Sequence, residues 1–172
     1  CGPGYLAAAV ARTAAHVTAV DISRGVLACA RAINGQPNIT FSTPDEFRAT
    51  GEQVDLAYSF AVIQHLRTAV LRDVLGRLAA AVRPGGTLLL HFAVPDDEQW
   101  RTEDQWRADE SLANRAKLRY ALNCFGRSAS EMSGLVAGSG FTEVTVRSLS
   151  GDITVPGDTD IPHQHLLTAR RK

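Results

Sequence analysis

Apolar residues along this chain fall into short runs of strand length, separated by stretches with helical spacing, and the two alternate from the first residues onward. Residues 5–15 are Ala-rich and follow a glycine turn, which predicts a helix; residues 16–20 then run into Asp21, which predicts a strand. Ser23 is placed to cap a second helix whose apolar positions Val26, Leu27, Ala30 and Ile33 share one face, with Asn34-Gly35 as its stop. Short strands are predicted over 39–42 and 54–59. Leu71, Leu75, Leu78 and Val82 stripe the following helix, which Pro84-Gly85-Gly86 should end. Residues 87–93 are apolar on both faces, as in a strand covered by helices on each side, so the sheet is expected to be mostly parallel.

The rhythm changes after this strand. Residues 95–127 turn polar and charged, with Trp100, Trp106, Tyr120 and Phe125 interspersed, which predicts a helical excursion on the substrate side of the core. The aromatics could shape an acceptor pocket or be ordinary core. Ser128-Ala129-Ser130-Glu131 has the pattern of a capping box, and Met132, Leu135 and Val136 give the helix behind it an apolar face. Residues 141–149 and 165–169 are predicted as a closing antiparallel pair of strands joined by the Gly/Pro/Asp-rich loop 150–162. The fold class expected is therefore α/β, a doubly wound, mostly parallel sheet with a C-terminal antiparallel hairpin.

Composition narrows the function. A chain of 172 residues with 45% hydrophobic content suits one domain, residues 1–172, with a single core. Its 18 basic and 18 acidic side chains cancel without forming blocks, which disfavours nucleic acid or an anionic membrane as partner and favours a small neutral or mixed-charge substrate. Cys1, Cys29 and Cys124 have no metal-ligand spacing and read as free thiols in a reducing compartment, so neither a disulfide nor a metal is expected. No apolar run approaches the ~18 residues of a membrane span, and a cytoplasmic location is the default.

Candidate chemistry sits at the front. Cys1-Gly2-Pro3-Gly4 leads into a helix, and a lone carboxylate, Asp21, closes the next strand. That is the arrangement with which an open α/β sheet holds an adenosine-containing cofactor, the acid accepting from the ribose hydroxyls and the glycines admitting the backbone close to the ligand. Gly2-Pro3-Gly4-Tyr5-Leu6-Ala7 also satisfies the G-x-G-x-x-[GA] fingerprint of dinucleotide sites, so a nicotinamide-dependent oxidoreductase stays open on this motif alone. The short, hairpin-ended second half argues against it. A binding module without catalysis is a further alternative.

Four motifs in order then resemble one family. Cys1-Gly2-Pro3-Gly4 resembles the end of a glycine motif, and Val17-Thr18-Ala19-Val20-Asp21-Ile22-Ser23 a second-strand motif with its ribose acid. Val54-Asp55-Leu56-Ala57-Tyr58-Ser59-Phe60-Ala61-Val62-Ile63-Gln64-His65-Leu66 resembles a fourth-strand segment, and Val82-Arg83-Pro84-Gly85-Gly86-Thr87-Leu88-Leu89-Leu90 the turn into strand five. The chain is thereby similar to class I S-adenosylmethionine-dependent methyltransferases, in the small-molecule branch that resembles ubiquinone-biosynthesis methyltransferases. The resemblance implies a Rossmann-like fold, S-adenosyl-L-methionine as cofactor, and transfer of its methyl group to a small-molecule acceptor by in-line displacement.

Residue by residue, it implies that Gly2 and Gly4 lie under the methionine part of the cofactor, Asp21 binds the ribose and Ile22 lies against the adenine. It implies further that Asp45, with Glu46 beside it, accepts from the adenine amino group, and that Ser59 and Phe60 line the pocket at the end of their strand. Two departures accompany it: Pro44 stands where the family has Gly, and the first, central strand that precedes the glycine motif is missing, so the chain is expected to be a fragment of a longer protein. A [DNS]-P-P-[YFW] tetrad is absent where the sequence reads Ser59-Phe60-Ala61-Val62, which disfavours methylation of nucleic-acid bases. No catalytic residue is assigned; His65 and His91 are candidates, each with a capping or packing role as the plainer reading.

Overall fold

A computed structural model of the chain describes residues 1–95, 100–120, 122–149 and 163–172; the loop predicted over 150–162 lies outside the described residues. The chain gathers into two compact units, Cys1–Glu52 and Gln53–Lys172.

The first unit is built from α1 (Tyr5–Val10), β1 (Val17–Val20), α2 (Arg24–Asn34), β2 (Ile39–Ser42) and α3 (Pro44–Thr50). β1 and β2 pair in parallel, from Val17↔Ile39 to Val20↔Ser42, so both strands deliver the chain to the same edge. Ala7 of α1, Leu27 and Ala30 of α2, and Val17, Ala19 and Phe41 of the strands form the core. The small residues of α1 that made the sequence look helical are thus the ones that let it lie close against the sheet. α1 is shorter than the predicted 5–15, because the chain behind it is tied elsewhere: Asn38 Nδ2 donates to the carbonyls of Ala11 at 2.9 Å and Ala14 at 3.2 Å. In α2, Ser23 Oγ accepts from the Val26 amide as expected, and Leu27 and Ala30 are buried, whereas Ile33 is exposed.

The second unit comprises β3 (Val54–Ser59), a single 3-10 turn (Ile63–His65), α4 (Thr68–Ala81), β4 (Val82–Ala93), β5 (Trp100–Arg101), α5 (Glu103–Ala108), α6 (Leu112–Arg119), β6 (Cys124–Phe125), α7 (Ala129–Gly138), β7 (Phe141–Ser148) and β8 (Gln164–Arg171). Its sheet runs β3-β4-β8-β7, with β3 parallel to β4 and the β7–β8 pair antiparallel, as predicted for the end of the chain. Leu71 and Leu75 of α4, Met132 and Val136 of α7, and Leu88, Leu90, Phe92 and Leu167 of the central strands are buried together.

Val82 was expected on the helix and instead opens β4. Two contacts account for the earlier stop: Arg171 Nε donates to the Ala79 carbonyl at 2.7 Å, and Val82 pairs with Val54. The register then jumps to Leu56↔Thr87, so Pro84 sits in a bulge and withholds no ladder hydrogen bond.

Between β4 and α7 the described residues hold two short helices, α5 and α6, and the paired strands β5 and β6. α5 begins with a capping box in which Thr102 and Gln105 bond reciprocally, and the buried Asn114 of α6 donates to the Trp106 and Asp109 carbonyls. Of the aromatics, Trp106 and Phe125 are core, the Trp106 indole donating to the Cys124 carbonyl at 2.7 Å, while Tyr120 is exposed. No helix among the described residues is long and apolar enough to cross a membrane.

Candidate functional site

The first unit brings Gly2, Gly4, Asp21 and Ile22 together. Gly4 caps α1 at φ +85°, and a Cβ there would stand 3.0 Å from Phe41 Cε1 and 3.4 Å from Ala30 Cβ. Backbone conformation and packing both require glycine. Gly2 is also left-handed, at φ +55°, but a Cβ there would meet no atom within 4 Å, so only its backbone conformation is restrictive.

Asp21 follows β1 directly and locks this turn to the strand end. Its Oδ2 accepts from the Gly2 amide at 3.0 Å and from the Cys1 backbone nitrogen at 2.8 Å, and its Oδ1 accepts from the Ser23 amide at 3.0 Å. The side chain is only 18% exposed. Burial pushes its carboxyl up, but the bonds from the Cys1 nitrogen and from the Ser23 and Gly2 amides outweigh burial and hold it below its ordinary 3.8. A carboxylate oxygen offers about two acceptor directions, so Oδ2 is saturated and Oδ1 keeps one for a further donor. Ile22, beside it, is 86% exposed, an isolated apolar side chain at the end of a strand.

The depressed carboxyl fixes the sign of a pH effect. A group that titrates lower in the folded chain contributes stability that is fully present above its unfolded value, here 3.8, and is lost as pH falls through the folded value. Urea unfolding of the natural chain and of Asp21→Asn should therefore differ at about pH 7, and the difference should shrink as pH falls below 3.8.

The two acids after β2 have separate tasks. Glu46 closes a capping box on α3: its Oε2 accepts from the Thr43 amide at 2.8 Å while Thr43 Oγ1 accepts from the Glu46 amide at 3.3 Å. Its Oε1 accepts from Arg24 at 3.0 Å. The Thr43 bonds, aided by Arg24, hold the Glu46 carboxyl below its ordinary value. Asp45 is 78% exposed, against 45% for Glu46, and among the described residues it pairs with Arg48 on its own helix at 2.9 Å, which leaves it the acid of the two with the more accessible acceptor capacity. Because β1 and β2 are parallel, Asp21 and Asp45 both follow the carboxyl ends of neighbouring strands, where open α/β sheets bind ligands. Thr43→Ala should cost the first unit about 1 kcal/mol through loss of this cap, measured by urea unfolding.

In the second unit, Ser59 ends β3 opposite Leu90, and the Phe60 ring, 48% exposed, stacks on His91 with centroids 4.2 Å apart. His91 is 4% exposed, and its Nδ1 accepts from the amide of Ala61, a residue at φ +56°. Burial lowers its pKa, the neighbouring Gln164 side chain pulling the other way. His65, the other histidine candidate, directs Nδ1 at the Asn123 carbonyl, 3.1 Å away, the tie expected of a packing residue. Among the described residues no group of three or more His, Cys, Asp or Glu side chains is placed to hold a metal ion.

Two residues had gone unnoticed. Arg127 is buried and donates to the Ile63 carbonyl at 3.3 Å and to the Leu66 carbonyl, tying down the 3-10 turn. Nothing in the sequence around it marks an arginine for burial. Ala61 is the other: a left-handed turn is usually announced by Gly or Asn, and alanine gives no such signal.

Residues 1–86 match the family described as Methyltransferase domain. Over 125 residues the chain is 37% identical to an uncharacterized methyltransferase of Mycobacterium bovis, a match that covers 70% of this chain and 61% of the relative. It is 29% identical over 127 residues to the malonyl-acyl-carrier-protein O-methyltransferase of Salmonella typhimurium, covering 71% of this chain and 50% of that protein. The chain thus spans between half and about three-fifths of the length of these curated relatives. Among solved structures, an S-adenosylmethionine-dependent methyltransferase from Mesorhizobium loti superposes with a TM-score of 0.66 at 20% identity, over 99% of this chain and 88% of that one. The shared fold is the Rossmann-like α/β fold that the alternation of helices and strands predicts.

Proposed function

We propose, from the premise that this chain belongs to the class I S-adenosylmethionine-dependent methyltransferases, that it binds S-adenosyl-L-methionine and methylates a small-molecule acceptor by in-line displacement. The observation that carries the reading is Asp21: a carboxylate held ionised at a strand end, bound to the amide of a glycine turn, with one acceptor direction of Oδ1 uncommitted.

The residues of the first unit fit the cofactor. Asp21 Oδ1 accepts from a ribose hydroxyl, and the exposed Ile22 gives the adenine an apolar surface. Asp45 is the acceptor for the adenine amino group; Glu46, spent on its cap, supports the helix that carries Asp45. Gly2 and Gly4 allow the backbone to lie against the methionine part. By family motif, Ser59 and Phe60 of the second unit are also proposed as cofactor-binding residues.

When bound, the cofactor supplies a methyl group on a cationic sulfur, which leaves as a neutral thioether as the acceptor's lone pair forms the new bond. With so strong an electrophile, the protein's contribution is to hold the reactants in line and exclude water, effects that reach roughly 7 to 11 kcal/mol in well-oriented systems. No side chain is assigned as a base. The O-methyltransferase named among the relatives favours oxygen as the receiving atom, the balanced charge of the chain favours a small molecule over nucleic acid or membrane, and the cytoplasm is the location proposed. Residues 95–127 are the proposed substrate-side portion of a single methyltransferase domain.

The test is calorimetric titration of the full chain with S-adenosylmethionine and its demethylated product, alongside a nicotinamide dinucleotide. Binding of the first two and not the third supports the reading, and the reverse contradicts it. Transfer of labelled methyl to a panel of small carboxylates, alcohols and amines then identifies the acceptor.

A further inference from the structure

We infer that His91 is a positioning residue for the proposed methyltransferase site, its Nδ1 holding the strained turn at Ala61 so that Phe60 and Ser59 are presented in fixed orientation to the cofactor. The inference rests on the methyltransferase reading for its ligand, and on the second unit alone for its geometry.

The parallel ladder between β3 and β4 ends at the pair Ser59↔Leu90. Beyond it, the chain leaves β3 through Phe60 and turns at Ala61 with φ +56°, a conformation that an alanine adopts only where its surroundings impose it. The next residue on β4 is His91. Its imidazole Nδ1 accepts from the Ala61 amide at 3.2 Å and so takes over, as a side chain, the role that the next backbone carbonyl of the ladder would have had. The acceptor role leaves the ring proton on Nε2.

The same ring forms the floor under Phe60, stacked at 4.2 Å with an interplanar angle of 27°. One buried side chain therefore controls both the backbone of the turn and the aromatic face that the turn exposes. A histidine needed only for packing requires the stacking face and not a particular nitrogen. The hydrogen bond makes the requirement specific to Nδ1.

This distinction has a direct test, because asparagine places its oxygen near the position of Nδ1 and glutamine places it nearer Nε2. In the full chain, both His91→Asn and His91→Gln lose the ring under Phe60, but only Asn keeps an acceptor near Nδ1, so H91Q should bind S-adenosylhomocysteine about fivefold more weakly than H91N, the size of one hydrogen bond. Amide exchange gives a readout that needs no ligand: Ala61 should be protected in the natural chain and in H91N, and should exchange about fivefold faster in H91Q. The inference is overturned if H91Q binds as tightly as H91N, or if Ala61 exchanges no faster in H91Q than in H91N. A natural chain that binds no S-adenosylhomocysteine contradicts the methyltransferase reading instead, and the exchange comparison still decides the role of His91.

Discussion

Replacing Asp21 with Ala should weaken S-adenosylmethionine binding by roughly 10- to 150-fold, the equivalent of about 1.5 to 3 kcal/mol for hydrogen bonds to a charged group. The loss has two sources that experiment can separate. The variant removes the ribose acceptor, and it also releases the Gly2 and Ser23 amides that the carboxylate now holds at 3.0 Å. Asp21→Asn keeps an oxygen for one of those amides but presents an NH2 where the other oxygen accepted. Titration calorimetry read beside urea unfolding resolves the two sources: an affinity loss larger than the stability loss belongs to the ligand, and equal losses belong to the turn. An unchanged affinity in Asp21→Ala contradicts the ribose assignment.

The second large effect is on the fold. Gly4→Ala should destabilise the first unit by about 2 to 3 kcal/mol, of which a left-handed backbone on an L-residue accounts for roughly 1 to 2. The remainder is steric, since the added methyl would stand 3.0 Å from Phe41 Cε1 and 3.2 Å from Cζ, and Phe41 is a buried ring of the same core. Gly2→Ala supplies the internal control. It meets the same backbone penalty at φ +55° with no atom within 4 Å of its methyl, so it should cost only about 1 to 2 kcal/mol in urea unfolding. If the methionine part of the cofactor lies against Gly2, this second variant should lose affinity out of proportion to its stability. Equal destabilisation by the two variants would show that Phe41 yields freely and that packing does not fix Gly4.

The contrast between the two glycines also shows where sequence reading succeeds. Alternating periods of apolar residues identify β1 and α2, because Leu27 and Ala30 must face a core and Ser23 must satisfy an amide, and both demands are local. The closing strand pair was legible for the same reason. The helix ends were not. α1 stops early because Asn38, far along the chain, takes the carbonyls behind it, and α4 stops early because Arg171 and Val54 claim Ala79 and Val82. Partners distant in sequence decide those boundaries, and no window of neighbouring residues contains them.

The same logic separates the site residues. Asp21 could be picked out as a candidate because it stands alone at the end of an apolar run, whereas its bonds to the Cys1 and Gly2 nitrogens, which hold the turn to the strand end, could not be read from its neighbours. Asp45 was singled out over Glu46 by the resemblance alone; the capping box Thr43-x-x-Glu46 that engages Glu46 is present in the sequence but went unread. His91 was visible only as a histidine at a strand end. Its bond to Ala61 depends on a left-handed turn at an alanine, which local preference disfavours and tertiary structure imposes.

The most direct measurement is a co-crystal structure of the full chain with S-adenosylhomocysteine. The account predicts a ribose hydroxyl within about 2.5 to 3.0 Å of Asp21 Oδ1, with the adenine over Ile22. A ligand whose ribose lies away from Asp21, or a carboxylate turned from the ligand toward solvent, would contradict it.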